Sequence, residues 1–227
     1  MHRELLERLN DARRNGHAVV RAVDMASGEE LLIDPYKDET ALGIAALQAV
    51  RDDRSGPVEI EERTWFLAVH NPPLDLVIIG AVHVAQPLAA MAAMAGYGVR
   101  VIDPRTAFAT AERFPGIALV HAWADEALEK APLGPRSAVV ALTHDPKLDD
   151  PALTAALNSN CFYIGALGSK KTHAGRLARL KQEGGFSGAQ LARIRGPVGL
   201  DIGAKSPAEI AVSILAEMTR DLRKPGS

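Results

Sequence analysis

The chain has 227 residues, with 26 Lys and Arg against 28 Asp and Glu and a net charge of −2. A hydrophobic fraction of 47% suffices for a packed core, which argues against disorder, and the balanced charge gives no general attraction to nucleic acid or to an acidic membrane surface. The single cysteine, Cys161, excludes an intramolecular disulfide and a cysteine-rich metal site, and no apolar run approaches the roughly 20 residues of a membrane span.

Residues 2–15 carry Leu5, Leu6, Leu9 and Ala12 at helical spacing, and Gly16 ends the pattern. This charged start is unlike a signal peptide, so a soluble cytoplasmic protein is expected. Residues 18–23 and 30–33 read as strands joined through Ala26-Ser27-Gly28. Residues 41–51 read as a helix, and 58–60 with 64–69 as a second hairpin. Together they predict a small α+β domain over residues 1–72, closed by Asn71-Pro72-Pro73.

Residues 73–227 alternate between strands and helices. Strands are expected at 76–79, 99–102, 118–121, 137–142 and 162–164. Helices are expected at 84–95, 125–130 and 170–183, with one more starting at Asp150-Pro151 and ending near 157. Ser206-Pro207-Ala208-Glu209 is a capping box that opens a last helix to about 223. The alternation predicts an α/β fold: a Rossmann-like, doubly wound parallel sheet beside the small N-terminal α+β domain. A 3-2-1-4-5 strand order would place the ligand-binding switch between the first and fourth strands, beyond their carboxyl ends.

Four segments fall on that edge. Gly80-Ala81-Val82-His83-Val84-Ala85 stands where a dinucleotide fingerprint has G-x-G-x-x-G. Gly80 supplies the sharp bend. Val82 replaces the glycine that lets a pyrophosphate approach the backbone, which disfavours NAD. The helix N-terminus still offers free N–H groups to an anion or nucleotide, unless the turn is merely structural. His83 is either a donor to a ligand oxygen or a solvent-facing histidine. Asp103 follows Gly80 at close to the spacing of about 20 residues expected for a ribose-binding acid, or else it caps the turn before Pro104; Arg105 could pair with it or reach a phosphate.

Thr143-His144-Asp145 follows an apolar strand directly, and His144 facing the pocket is favoured over a His144–Asp145 dyad. Gly165-Ala166-Leu167-Gly168-Ser169-Lys170-Lys171-Thr172 reads as a second glycine turn opening a basic helix. Ser169, Lys170 and Lys171 are placed there for a phosphate, against the plainer reading of a solvated basic face. The glycine-rich loop at 196–205 offers Asp201 and Lys205. Cys161 reads as a buried small hydrophobe.

These stretches together resemble the XdhC/CoxI family. They are Leu76-Val-Ile-Ile-Gly80-Ala-Val-His83-Val, Val101-Ile-Asp103-Pro-Arg105 with Arg113-Phe-Pro-Gly116, Ala141-Leu-Thr143-His144-Asp145, Tyr163-Ile-Gly165-Ala-Leu-Gly168-Ser169-Lys170-Lys171-Thr172, and Gly199-Leu-Asp201-Ile-Gly203-Ala with Ser206-Pro-Ala-Glu209-Ile-Ala. The resemblance implies a maturation factor, not an enzyme. Such a protein holds a molybdopterin-type molybdenum cofactor, in its mononucleotide or cytosine dinucleotide form, while a cysteine desulfurase installs the terminal sulfur. It then passes the cofactor to an apo-molybdenum hydroxylase of the xanthine dehydrogenase or carbon monoxide dehydrogenase type. No residue is assigned a catalytic or metal-ligating role.

The chain departs from the family's usual G-x-G-H-V-G turn at Val82 and Ala85, and it has no cysteine before Cys161 to match the C-x-x-G site of longer members. Two other readings compete: a nucleotide-binding regulatory module for AMP, ADP or FAD, and an NAD(P)-linked oxidoreductase. The second would need an open glycine turn, which the chain has only in broken form. A homodimer is expected because the N-terminal unit has little core of its own.

Overall fold

The computed structural model describes residues 3–224, so the expected helix start at His2 lies outside the described residues. The chain divides into two compact units, residues 1–72 and 73–227.

The first unit contains α1 (Arg3–Arg14), β1 (Val19–Asp24), β2 (Glu30–Ile33), α2 (Ala41–Asp52), β3 (Gly56–Ile60) and β4 (Arg63–His70). Its four strands form an antiparallel sheet in the order β2-β1-β4-β3. Val20, Ala22, Ile33, Trp65 and Leu67 bury one face, with Ala46 and Val50 of α2 in the same cluster. Asp24 fastens the β1–β2 turn: it accepts from Ala26 N–H at 2.8 Å and from Arg63 Nε at 2.6 Å. The backbone bond from Ala26 leads the causes that draw its pKa down to about 2.

The second unit contains β5 (Leu74–Ile79), α3 (Ala85–Met94), β6 (Tyr97–Ile102), β7 (Ala118–Val120), α4 (Ala124–Lys130), β8 (Ser137–Ala141), α5 (Pro146–Leu157), β9 (Tyr163–Ala166), α6 (Lys170–Gly184), α7 (Gly188–Leu191), β10 (Ile194–Arg195) and α8 (Pro207–Arg223). All six strands are parallel, in the order β10-β9-β8-β5-β6-β7. Crossovers to both sides of β5 make the doubly wound pattern and place the switch between β5 and β8. Near-continuous apolar runs such as Val139, Val140 and Ala141, each fully buried, are what a sheet covered on both faces requires. One core lies between the sheet, α3 and α8. The other lies between the sheet, α4, α5 and α6.

Three details differ from the sequence expectation. The helix expected at Asp150-Pro151 begins five residues earlier, at a second acid-proline pair: Asp145 caps it, accepting from Lys147 N–H at 2.9 Å, and Pro146 opens it. Pro151 sits inside α5, where it can donate nothing to the Lys147 carbonyl one turn back. The earlier start wins because it brings Leu148 into the core with Ala152, Leu153 and Ala156. Gly165 lies within β9, not in the turn after it, and its missing side chain makes room for Val198 and Tyr163. Two short elements, α7 and β10, carry too few residues for a periodic signal.

Candidate functional site

The strand ends are in register. Ile79 pairs with Ile102 and with Ala141, Ile102 with Val120, and Ala141 with Ala166. The segments that follow therefore leave the sheet from one line, and those carrying Gly80, Asp103, Thr143 and Gly168 begin on it.

At the centre, Gly80 has φ +97° and packs against Thr143, whose methyl group would collide with any side chain at position 80. A backbone turn this tight against the neighbouring strand end requires glycine. Val82 is half-buried against the core and His83 is exposed. The cap position of α3 is Val84, which makes no side-chain hydrogen bond, so the first turn of this helix has no side-chain cap for its amides.

Asp103 is fully buried, and both its oxygens are engaged. Oδ2 accepts from Ala81 N–H and from Arg105 Nη2, each at 2.8 Å. Oδ1 accepts from Arg105 N–H and Nε, each at 2.9 Å. Burial pushes this carboxyl up, but the Arg105 and Ala81 bonds outweigh it and hold the pKa below the usual carboxylate range. The acid thus ties the turn after β5 to the segment after β6, and it is the Arg105 side chain, 40% exposed, that faces outward.

Thr143 and His144 are organised by a residue outside the expected site, in the first turn of α5. Asp149 is 1% exposed and accepts from Thr143 Oγ1 at 2.6 Å, from Thr143 N–H at 3.3 Å and from His144 N–H at 3.0 Å. These bonds fix His144 at φ +62°, a left-handed conformation uncommon outside glycine. Arg176 of α6 donates from Nη2 to Leu167 O at 3.0 Å and lies 3.5 Å from Asp149 Oδ2, joining the segments after β8 and β9. Its side chain is 2% exposed, so within this basic helix Arg176 is a buried cation and not part of a solvated face. Burial pushes the Asp149 carboxyl above its usual range, ahead of the opposing bonds from Thr143 and His144. The signal that could have found Asp149 is its place in the first turn of α5, the helix that Asp145 caps, where it faces back to the segment after β8.

The turn after β9 runs over Leu167, Gly168 and Ser169. Gly168 has φ +147°, and a side chain built there would point to within 3.6 Å of His144 Nδ1, so His144 stands beside this turn. Ser169 caps α6, its hydroxyl accepting from Thr172 N–H at 3.1 Å, and Lys170 and Lys171 are exposed in the first turn. Asp145 is occupied as the α5 cap. The loop carrying Asp201 and Lys205 is anchored at its base: Glu217 accepts from Gly199 N–H at 2.9 Å and from the Tyr163 hydroxyl at 2.6 Å. Asp201 and Lys205 themselves are exposed.

The structure thus brings His144 to the Gly168 turn, and Gly80 to Thr143. It assigns Asp103, Asp145 and Gly165 local structural contacts. A groove runs along the outer side of α5 between α4 and α6, lined by Leu128, Pro151, Thr154, Ala155 and Leu180, and none of the expected site residues borders it. Among the described residues there is no group of three or more His, Cys, Asp or Glu placed to hold a metal ion, and no helix long and apolar enough to cross a membrane.

The chain is 30% identical over 223 residues to a protein of Bacillus subtilis (strain 168) named as a probable xanthine dehydrogenase subunit, a match covering 96% of this chain and 65% of that protein. It is 34% identical over 148 residues to the molybdenum cofactor insertion chaperone PaoD of Escherichia coli (strain K12), covering 65% of this chain and 40% of that one. It therefore spans less than two thirds of the length of these curated relatives. A solved structure from Bacillus halodurans, described as a xanthine dehydrogenase, superposes with a TM-score of 0.67 at 24% identity over 97% of this chain and 67% of that one, which speaks for the fold. The model of the XdhC Rossmann domain matches residues 76–218, the span that holds both cores of the parallel sheet and the carboxyl-edge segments just described, and the chain belongs to that family.

Proposed function

We propose that this chain holds a molybdopterin-type molybdenum cofactor at the carboxyl edge of the parallel sheet and delivers it to an apo-molybdenum hydroxylase. The observation that carries this reading is the convergence of cations and N–H donors at one strand edge of an XdhC domain. They are the N-terminus of α3, which has no side-chain cap, Arg105, and the first turn of α6 with Lys170 and Lys171. Such a donor set suits a ligand carrying phosphate groups. Gly80, Val82, His83, Asp103, Arg105, Thr143, His144, Asp145, Gly165, Gly168, Ser169, Lys170, Lys171, Asp201 and Lys205 make up the proposed cofactor site, with Asp103, Asp145 and Gly165 acting through the backbone they organise.

Names that mention xanthine dehydrogenase fit an accessory factor of that enzyme. The one cysteine is buried, and this chain offers no cysteine set for an iron–sulfur cluster. A cysteine desulfurase that adds the terminal sulfur while the cofactor is held, a homodimeric state and a cytoplasmic location complete the proposal.

The test is direct. Purified protein is incubated with molybdenum cofactor and separated by gel filtration, and pterin and molybdenum are assayed in the protein peak. Both should co-elute with it, and the loaded protein should activate an apo-hydroxylase. A plain adenine spectrum without pterin or metal would favour the nucleotide-binding reading instead. Micromolar binding of NAD would overturn the role given to Val82.

A further inference from the structure

The segment after β6 carries more structure than a loop needs. Arg105 is held flat against Asp103 by two side-chain bonds, and its guanidinium carbon lies 4.6 Å from the centre of the Phe108 ring. A backbone bond from Phe108 N–H to Arg105 O at 3.0 Å closes the turn that brings the two side chains together. Arg113 donates to the Phe108 carbonyl, and Gln86 of α3 donates to the Arg113 carbonyl at 3.1 Å, so the segment is also tied to α3. Phe114 beneath it is 2% exposed.

Despite this fixation the outer parts stay open: Phe108 is 46% exposed and the Arg105 side chain 40%. One strand over, Trp123 follows β7 and is 45% exposed. The two segments leave neighbouring strands, and Asp103 N–H donates to Val120 O at 3.1 Å where they part. The Arg105–Phe108 contact fixes the two side chains to each other while one side of the pair, and Trp123 at the adjacent strand end, stay open to solvent. A rigid, planar, cationic surface beside an aromatic ring is the arrangement on which a π-system stacks.

The position also carries a reversal. A free acid at the end of the second strand would accept hydrogen bonds from a ribose diol. Here the acid is consumed by Arg105 and Ala81, and the group turned outward is the guanidinium. We infer that Arg105, Phe108 and Trp123 form a stacking subsite for the planar heterocyclic ring of the bound ligand. This rests on the reading that a ligand lies at this edge, and it adds Phe108 and Trp123 to the site.

The experiment uses the whole chain and three probes: cytidine 5′-monophosphate, adenosine 5′-monophosphate and ribose 5-phosphate, titrated by calorimetry and by tryptophan fluorescence. Trp65, the other tryptophan, is 5% exposed and serves as an internal constant. At least one nucleotide should bind about tenfold or more tighter than ribose 5-phosphate, the scale of one base stacked on a side chain. It should quench an emission that is lost in Trp123→Phe. Phe108→Leu, checked for folding by circular dichroism, should erase most of the preference for the ring while binding ribose 5-phosphate as before, whereas Arg105→Lys should lose the preference and weaken sugar phosphate and nucleotide alike.

Equal affinity for nucleotide and sugar phosphate overturns the inference, as does no binding of any probe, or a preference that survives in all the variants. The two proposals fail separately. A chain that holds molybdenum cofactor but shows no ring preference keeps the proposed function and loses this subsite. One that prefers the nucleotides but holds no cofactor keeps the subsite and loses the function.

Discussion

Two buried aspartates titrate in opposite directions. Asp103 is depressed by bonds from Arg105 and Ala81 that outweigh its burial, whereas burial dominates at Asp149 and raises it. Linkage fixes the consequences. The stability that Asp103 contributes is present above the ordinary carboxylate pKa and is lost as pH falls through its lower folded value. For Asp149 the contribution is present below the ordinary value and is lost as pH rises through its higher folded value. Carboxyl-detected NMR titration should place the Asp103 midpoint below about 3.9 and that of Asp149 above it; a reversed order would refute the assignment of causes. Asp103→Ala strands the Ala81 amide and frees Arg105 to water. It should lower unfolding stability by about 1–3 kcal/mol in a denaturant titration, the cost of a buried group losing its charged partner. This is a larger effect on folding than a ribose-binding acid at the surface would produce.

At the scale of elements, the site is built by contacts between strand ends. Gly80 after β5 and Thr143 after β8 occupy each other's space. Gly80→Ala adds a methyl group where the Thr143 methyl already stands, at a φ that alanine disfavours, and should cost about 1–3 kcal/mol. Thr143→Ser removes the blocking methyl and keeps the hydroxyl that Asp149 accepts. The double variant should therefore recover part of that loss in thermal unfolding; strict additivity would mean the two residues are not in contact.

The same scale explains what the sequence could reveal. Parallel strands and capped helices write local signals: the apolar runs and the Ser206-to-Glu209 capping box were readable, and so was the switch between β5 and β8. The start of α5 was not, because Asp145-Pro146 and Asp150-Pro151 are the same signal five residues apart, and only the burial of Leu148 decides between them. Asp149 and Arg176 were missed for a related reason. A charged residue in a polar stretch looks solvated until the packing of another element covers it.

For the whole molecule, function and folding need to be separated by choice of variant. Each unit has a hydrophobic cluster of its own. A fragment of residues 73–227 should accordingly fold alone with a cooperative thermal transition, and failure to do so would deny that the parallel-sheet unit is a domain. Within the full chain, His144 and Lys170 are the sharpest probes of cofactor holding. Both are exposed, and His144 borders the Gly168 turn that leads into the helix Lys170 begins. Alanine at 144 would carry a backbone penalty at φ +62°, so His144→Asn is the cleaner change, since asparagine tolerates that region. Lys170→Ala removes one cation from the start of α6 and leaves the Ser169 cap intact. Both variants should keep unfolding stability within about 1 kcal/mol, as exposed substitutions generally do. Each should retain less pterin after gel filtration and activate an apo-hydroxylase less than the parent chain does. If both variants hold and deliver cofactor like the parent, the cofactor does not sit between the ends of β8 and β9. The next segment to test would then be the loop from Gly199 to Lys205, whose base is fixed by Glu217 while Asp201 and Lys205 remain open to solvent.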